Sequence, residues 1–203
     1  MLKKFFIIIL ILFAFGVSMY LYGSNLALEA TGYGPLPVLL FSIPFTMIIV
    51  NSSLFFLPKM IKTHSYYLRY KKGFESIFLS ISLILAMLHF GFILLVLGIE
   101  VNFILLVPLS VGIVLITTAN TLPRFQLEIS RTSSELTQSA HQAWNIAVRP
   151  LAFPLIIGGL IMLFCVFLPA NLVLIGFFLV LISTLLISIF LSYKAYQTHV
   201  SNL

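Results

Sequence analysis

Of the chain's 203 residues, 61% are hydrophobic and only 8% are charged, and the net charge is +6. A water-soluble domain carries about a quarter charged residues, so the composition excludes one and points to a single integral membrane domain, 1–203. The lone cysteine, Cys165, excludes a disulfide within the chain and a cysteine-based zinc site.

Lys3 and Lys4 precede an uncharged stretch, FFIIILILFAFGVSMYLYG. A secretory signal peptide has the same order of features but an apolar core of only about 7–15 residues and a small-residue cleavage site. The longer run predicts a retained first span over 5–22, with Tyr20 and Tyr22 at the depth of an interfacial aromatic belt. A polar, Gly/Pro-rich loop with Glu29, Tyr33 and Gly34 leads to a second span over 36–57. Pro44 inside it is a candidate kink.

The next loop, PKMIKTHSYYLRYKKGFE, holds Lys59, Lys62, Arg69, Lys71 and Lys72 against Glu75 alone. Spans three and four are expected over 76–99 and 101–119, with Glu100 and Asn102 marking the turn between them. On these boundaries none of the five carboxylates lies within a span. Pro108 is a candidate break in span four.

The stretch 121–149 is the only other long polar segment and carries five charged residues, two acidic and three basic. Thr132-Ser-Ser-Glu135 fits a capping box, in which the Thr hydroxyl covers an amide at the helix start while the Glu reaches back. Leu136, Ala140, Ala143, Trp144, Ala147 and Val148 then share one helical stripe opposite Gln138, Gln142 and Asn145. That pattern predicts a short cytoplasmic amphipathic helix on the inner membrane surface, with Trp144 at headgroup depth, between spans four and five.

From 150 to 193 there is no charge in 44 residues. One helix of that length would measure about 66 Å against a hydrocarbon core of about 30 Å. The run must fold back, and Pro169-Ala170-Asn171 supplies the turn, giving spans over 150–168 and 172–193. The expected fold is therefore an all-α bundle of six transmembrane helices.

With six spans, all eleven Lys and Arg residues fall on one side: two at the N-terminus, five in the basic loop, three in the central segment and one in the tail. The positive-inside rule makes that side cytoplasmic, with both termini inside. The basic loop is first a topology signal and then an attractor of anionic lipid headgroups. Direct nucleic-acid binding is not expected.

His89 lies near the middle of span three, where ionisable groups are costly and are functional candidates by default. Thr46, Ser110 and Ser183 fall at similar depth, and a neutral imidazole bonded to one of these hydroxyls competes with a proton-handling role. Gly158-Gly159 and the stripe Thr184, Ser188, Ser192 have the pattern of packing faces. No paired carboxylates, HExxH, GxSxG or phosphate-binding Gly-rich loop occurs in the sequence. Neither an enzyme nor a bound cofactor or metal is expected.

At Asn120-Thr121-Leu122-Pro123-Arg124 the chain resembles the N-x-L-P-[KR] segment of the SdpI family, immunity proteins against a sporulation-delaying peptide toxin. Tyr33-Gly34, Leu57-Pro58-Lys59, His89, Arg131-Thr132 and Ser192-Tyr193-Lys194 are similar to further family positions, in the same order along six spans. The outer loop lacks the family's opening His and Asn, and Ser-Ser-Glu-Leu follows Thr132 in place of P-W-T-L. The resemblance implies a plasma-membrane protein that protects its cell from a membrane-active peptide toxin. It also implies signal transduction, by sequestering a cytoplasmic repressor at the membrane. Asn120, Leu122, Pro123, Arg124, Arg131 and Thr132 are then the toxin- or partner-response positions, with Trp144 beside them on the amphipathic helix. A small transporter or permease component, and a structural subunit of a membrane complex, remain alternative readings.

Overall fold

The computed structural model describes the backbone of residues 2–24, 35–60, 64–124 and 135–201, and their side chains except at 54–60, 64–70, 124, 135–141, 143 and 199–201. Six long helices account for most of it: α1 (Leu2–Gly23), α2 (Leu36–Met60), α3 (His64–Val96), α4 (Leu106–Thr121), α5 (Glu135–Phe164) and α6 (Ala170–Ser201). Each contains a stretch long and apolar enough to cross a membrane. Only a helix can do so here as a single segment, because lipid offers no partner for an open backbone amide.

Several boundaries differ from the sequence expectation, mostly because helices run on past the apolar stretch that marks a span. α3 begins at His64, so Glu75, one residue before the expected third span, already stands within the helix. Pro44 is buried in α2, which continues on both sides of it. Pro108 does not break α4. It is the third residue of that helix, in the first turn, where its missing N–H has no intrahelical partner to lose. The segment expected as a separate amphipathic helix is continuous with span five: α5 runs for 30 residues through Pro150 and Pro154.

The turns have local causes. Gly98 has φ +78°, a left-handed conformation that glycine adopts without strain. Its N–H bonds the Leu95 carbonyl at 3.0 Å, and the Ile99 N–H bonds that of Leu94 at 2.9 Å, closing α3 in a Schellman motif. Asn102 caps the 3-10 turn Phe103–Leu105 that opens into α4, accepting from the Ile104 N–H at 3.1 Å. A 3-10 turn over Cys165–Phe167, then Pro169, joins α5 to α6 at the place the sequence indicates.

Contacts divide the chain into two compact units, Met1–Leu106 and Val107–Leu203. In the first, α1, α2 and α3 pack on one another. Leu21, Leu40, Ile93 and Val96 form one apolar cluster, and Ala14, Ile43 and Met47 form another. Phe15 of α1 stands edge-on to Phe45 of α2, with ring centroids 5.2 Å apart.

In the second unit, α5 packs between α4 and α6, and its paired glycines bring both neighbours close. A methyl group on Gly159 would lie 2.7 Å from Ile116 Cγ1 and 2.9 Å from the Gly112 carbonyl oxygen of α4. One on Gly158 would overlap the Thr184 side chain of α6. Thr184, Ser188 and Ser192 are all buried, as a packing stripe should be. Leu115, Ala119, Ala152, Leu155, Met162 and Phe177 complete the core.

Candidate functional site

The first unit carries a buried polar seam on one face of α3. Glu75, Ser82 and His89 are seven residues apart, close to two helical turns, so they align over about 21 Å. All three are buried, Glu75 at 6% exposure and His89 at 3%. Polar groups at such depth are tolerated where they meet partners on neighbouring helices.

His89 meets α1. Its Nε2 lies 3.2 Å from the Ala14 carbonyl oxygen and 3.1 Å from Ser18 Oγ. Ser18 in turn donates to the Leu40 carbonyl of α2 at 2.7 Å, with the Ala14 carbonyl at 2.9 Å. A carbonyl only accepts, so Nε2 carries a hydrogen. Nδ1 is buried with no hydrogen-bond partner among the described residues, and a hydrogen there would be an unpaired buried donor, at a cost of about 1–3 kcal/mol. The geometry therefore fits a neutral imidazole in its Nε2–H tautomer. Ser18 joins all three helices at this level.

Two turns toward the N-terminus of α3, Ser82 donates to Asn51 Oδ1 of α2 at 3.0 Å, while Asn51 Nδ2 donates to the Met47 carbonyl at 2.8 Å. Ile43 and Met47 of α2, with Leu85, Ala86 and Leu88 of α3, fill the level between this pair and His89. The two polar nodes are thus separated by an apolar layer. Farther down, Lys3 Nζ of α1 donates to Ser76 Oγ, whose own hydroxyl turns to the Lys72 carbonyl at 2.9 Å. Glu75 Oε1, on the neighbouring residue, is buried with no hydrogen-bond partner among the described residues.

The hydroxyl bonded to His89 is that of Ser18, where the sequence suggests Thr46, Ser110 or Ser183. Thr46 is exposed and donates back to the Ser42 carbonyl of its own helix at 2.8 Å. Ser110 is half-buried in α4, and Ser183 is exposed on α6. Matching residues by depth missed the partner because it ignored which way each side chain faces. On α2 the inward series is Ile43, Met47, Asn51 at four-residue spacing, and Thr46 falls one residue off it. Ser18 and Asn51 carried a legible signal all the same: each is a lone strongly polar residue on the inward stripe of its span.

The second candidate region is the C-terminal end of α4 with the start of α5. Asn120 is exposed near the end of α4, and Thr121 is buried, donating to the Thr117 carbonyl at 2.7 Å. Leu122 and Pro123 are half-buried in a 3-10 turn, Leu122–Arg124, that packs against α5. Trp144 projects from α5 at 42% exposure, on the rim of a cavity of about 450 Å³ facing Tyr193 and Tyr196 of α6. Arg131, Thr132 and the proposed capping box lie outside the described residues, as does the side chain of Arg124. The turn that carries Leu122 and Pro123 thus packs on the helix that carries Trp144, although 19 residues separate Trp144 from Arg124.

No protein-family model, curated protein or solved structure matches this chain.

Proposed function

We propose that this chain is a plasma-membrane immunity protein of the SdpI type, which protects its cell from a membrane-active peptide toxin and relays toxin engagement to a cytoplasmic repressor. The observation that carries the reading is the ordered set of family-like positions, centred on Asn120, Leu122, Pro123 and Arg124, at the inner end of a six-helix membrane chain. The packing of the Leu122–Arg124 turn on α5 supports it, because that contact links the motif to Trp144 through one helix. On this reading both termini and the segment 121–149 are cytoplasmic, the side to which the Lys and Arg distribution assigns them. The inner stretch of α5 lies at the membrane surface with its Trp144 side at headgroup depth. The partners are the lipid bilayer, the peptide and the repressor. The apolar layer in the first unit weighs against a transport path along its polar seam.

Arg131 gives the sharpest test, since a guanidinium holds a carboxylate or phosphate with two parallel hydrogen bonds where an ammonium acts as a point charge. The wild-type chain, Arg131→Lys, Arg131→Ala and Trp144→Ala are expressed in a sensitive host at equal membrane abundance and challenged with the peptide encoded beside the gene. Arg131→Lys and Arg131→Ala are expected to lose at least tenfold in survival, and Trp144→Ala to lose less. Full protection by all three variants would reduce the segment to a connector. Failure of the wild type itself would remove the immunity reading.

A further inference from the structure

We propose that the hairpin of α5 and α6 holds an anionic phospholipid, its phosphate between Arg149 and Lys194 and one acyl chain in the groove between the two helices. The inference rests on this hairpin alone and stands apart from the immunity reading. The groove is a cavity of about 390 Å³. Phe153, Ile157 and Ile161 of α5 form one wall, and Leu179, Ile187 and Leu191 of α6 form the other. Its floor lies where Gly158, having no side chain, meets Thr184. Apart from half-buried Leu191 the wall residues are exposed, so an acyl chain enters from the side.

One end of this groove is basic. Ser192 Oγ donates to the Ala147 carbonyl at 3.1 Å, which fixes the register of the two antiparallel helices there. Arg149 thus stands near the level of Leu191, at the end of the groove, and Lys194 one turn beyond it. Arg149 precedes Phe153 by four residues and Lys194 follows Leu191 by three, so each cation shares a helical face with one wall. Both are exposed, and no Asp or Glu occurs from 136 to 203, so no carboxylate of the hairpin past Glu135 offsets them. An acyl chain by itself would leave the cations unused, and a phosphate by itself would leave the groove unfilled. A phospholipid supplies both in the order in which they lie along the helices. The guanidinium grips a phosphate with two hydrogen bonds, and the lysine reaches headgroup depth along its own apolar stem. Two cations around one phosphate favour a headgroup of net negative charge over a zwitterionic one.

The test titrates the full chain in detergent with phosphatidylglycerol and with phosphatidylcholine of identical dioleoyl chains, and counts bound lipids by native mass spectrometry. One phosphatidylglycerol is expected to bind about tenfold or more tighter than phosphatidylcholine. Arg149→Gln/Lys194→Gln is expected to weaken it by about thirtyfold, from about 1 kcal/mol per charge. Lys71→Gln/Lys72→Gln removes as much charge from exposed positions of the first unit and should leave that site unchanged. Ser183→Phe fills the groove without altering charge and should weaken phosphatidylglycerol by about tenfold, through the methylenes it displaces. If the Arg149/Lys194 double variant is not recovered from membranes, Lys194→Gln alone decides, with an expected loss of about fivefold. Equal binding of the two lipids would overturn the proposal. So would an equal loss from Lys71→Gln/Lys72→Gln, which would reduce the effect to general surface charge, or unchanged binding in Ser183→Phe.

Discussion

Ser18 does more for the first unit than any other polar residue described, because its one hydroxyl touches α1, α2 and α3 together. An interhelical hydrogen bond within a membrane contributes about 0.6–2 kcal/mol. His89→Leu is therefore expected to lower the stability of the chain in detergent or lipid by an amount in that range. His89→Gln, whose amide N–H reaches toward the same carbonyl, should keep more of it. Ser18→Ala removes the other half of the node, so combining it with His89→Leu should cost less than the two single losses added. Steric-trap or denaturant unfolding measures all four. Equal stability of His89→Leu and His89→Gln would show that the hydrogen bond to α1 contributes nothing, and strictly additive losses would separate Ser18 from His89. The polarity of His89 was legible from its position in an apolar run. Its partner was not, since hydropathy locates a residue along the membrane normal and leaves its direction around the helix open.

Among the elements, α5 departs furthest from what its sequence suggests, and for a physical reason. A capping pattern at 132–135 and an apolar-to-polar division over 136–148 indicate an independent surface helix, and Pro150 then looks like its end. In the structure the helix passes through both prolines, because contacts with α4 and α6 hold the backbone helical on either side of them. The paired glycines make a sharper prediction. Gly159→Ala places a methyl group against the Gly112 carbonyl oxygen and Ile116, which must separate α4 from α5, and such overpacking costs about 1–3 kcal/mol. Gly16→Ala meets nothing within 4 Å and should be neutral. Thermal unfolding of the two variants in one detergent checks the contrast, and equal melting temperatures would contradict the close crossing. This packing role was readable beforehand from Gly158-Gly159 and the four-residue spacing of Thr184, Ser188 and Ser192. Small residues in such a pattern have little use in a membrane except to let helices approach.

For the whole molecule, the number of spans follows from chain length and hydrophobicity, whereas their direction rests on eleven charges. On the proposed topology the segment 121–149 of a six-span chain faces the cytoplasm, where it can meet a partner. The most direct test of that topology is thiol accessibility in intact cells. Single cysteines are introduced at Ser24, Asn102, Asn171, Ser65 and Ser139 in a Cys165→Ala background and exposed to an impermeant maleimide. Labelling is expected at Ser24, Asn102 and Asn171, and at Ser65 and Ser139 only after the cells are opened. Labelling of Ser139 in intact cells would place the central segment outside and contradict it.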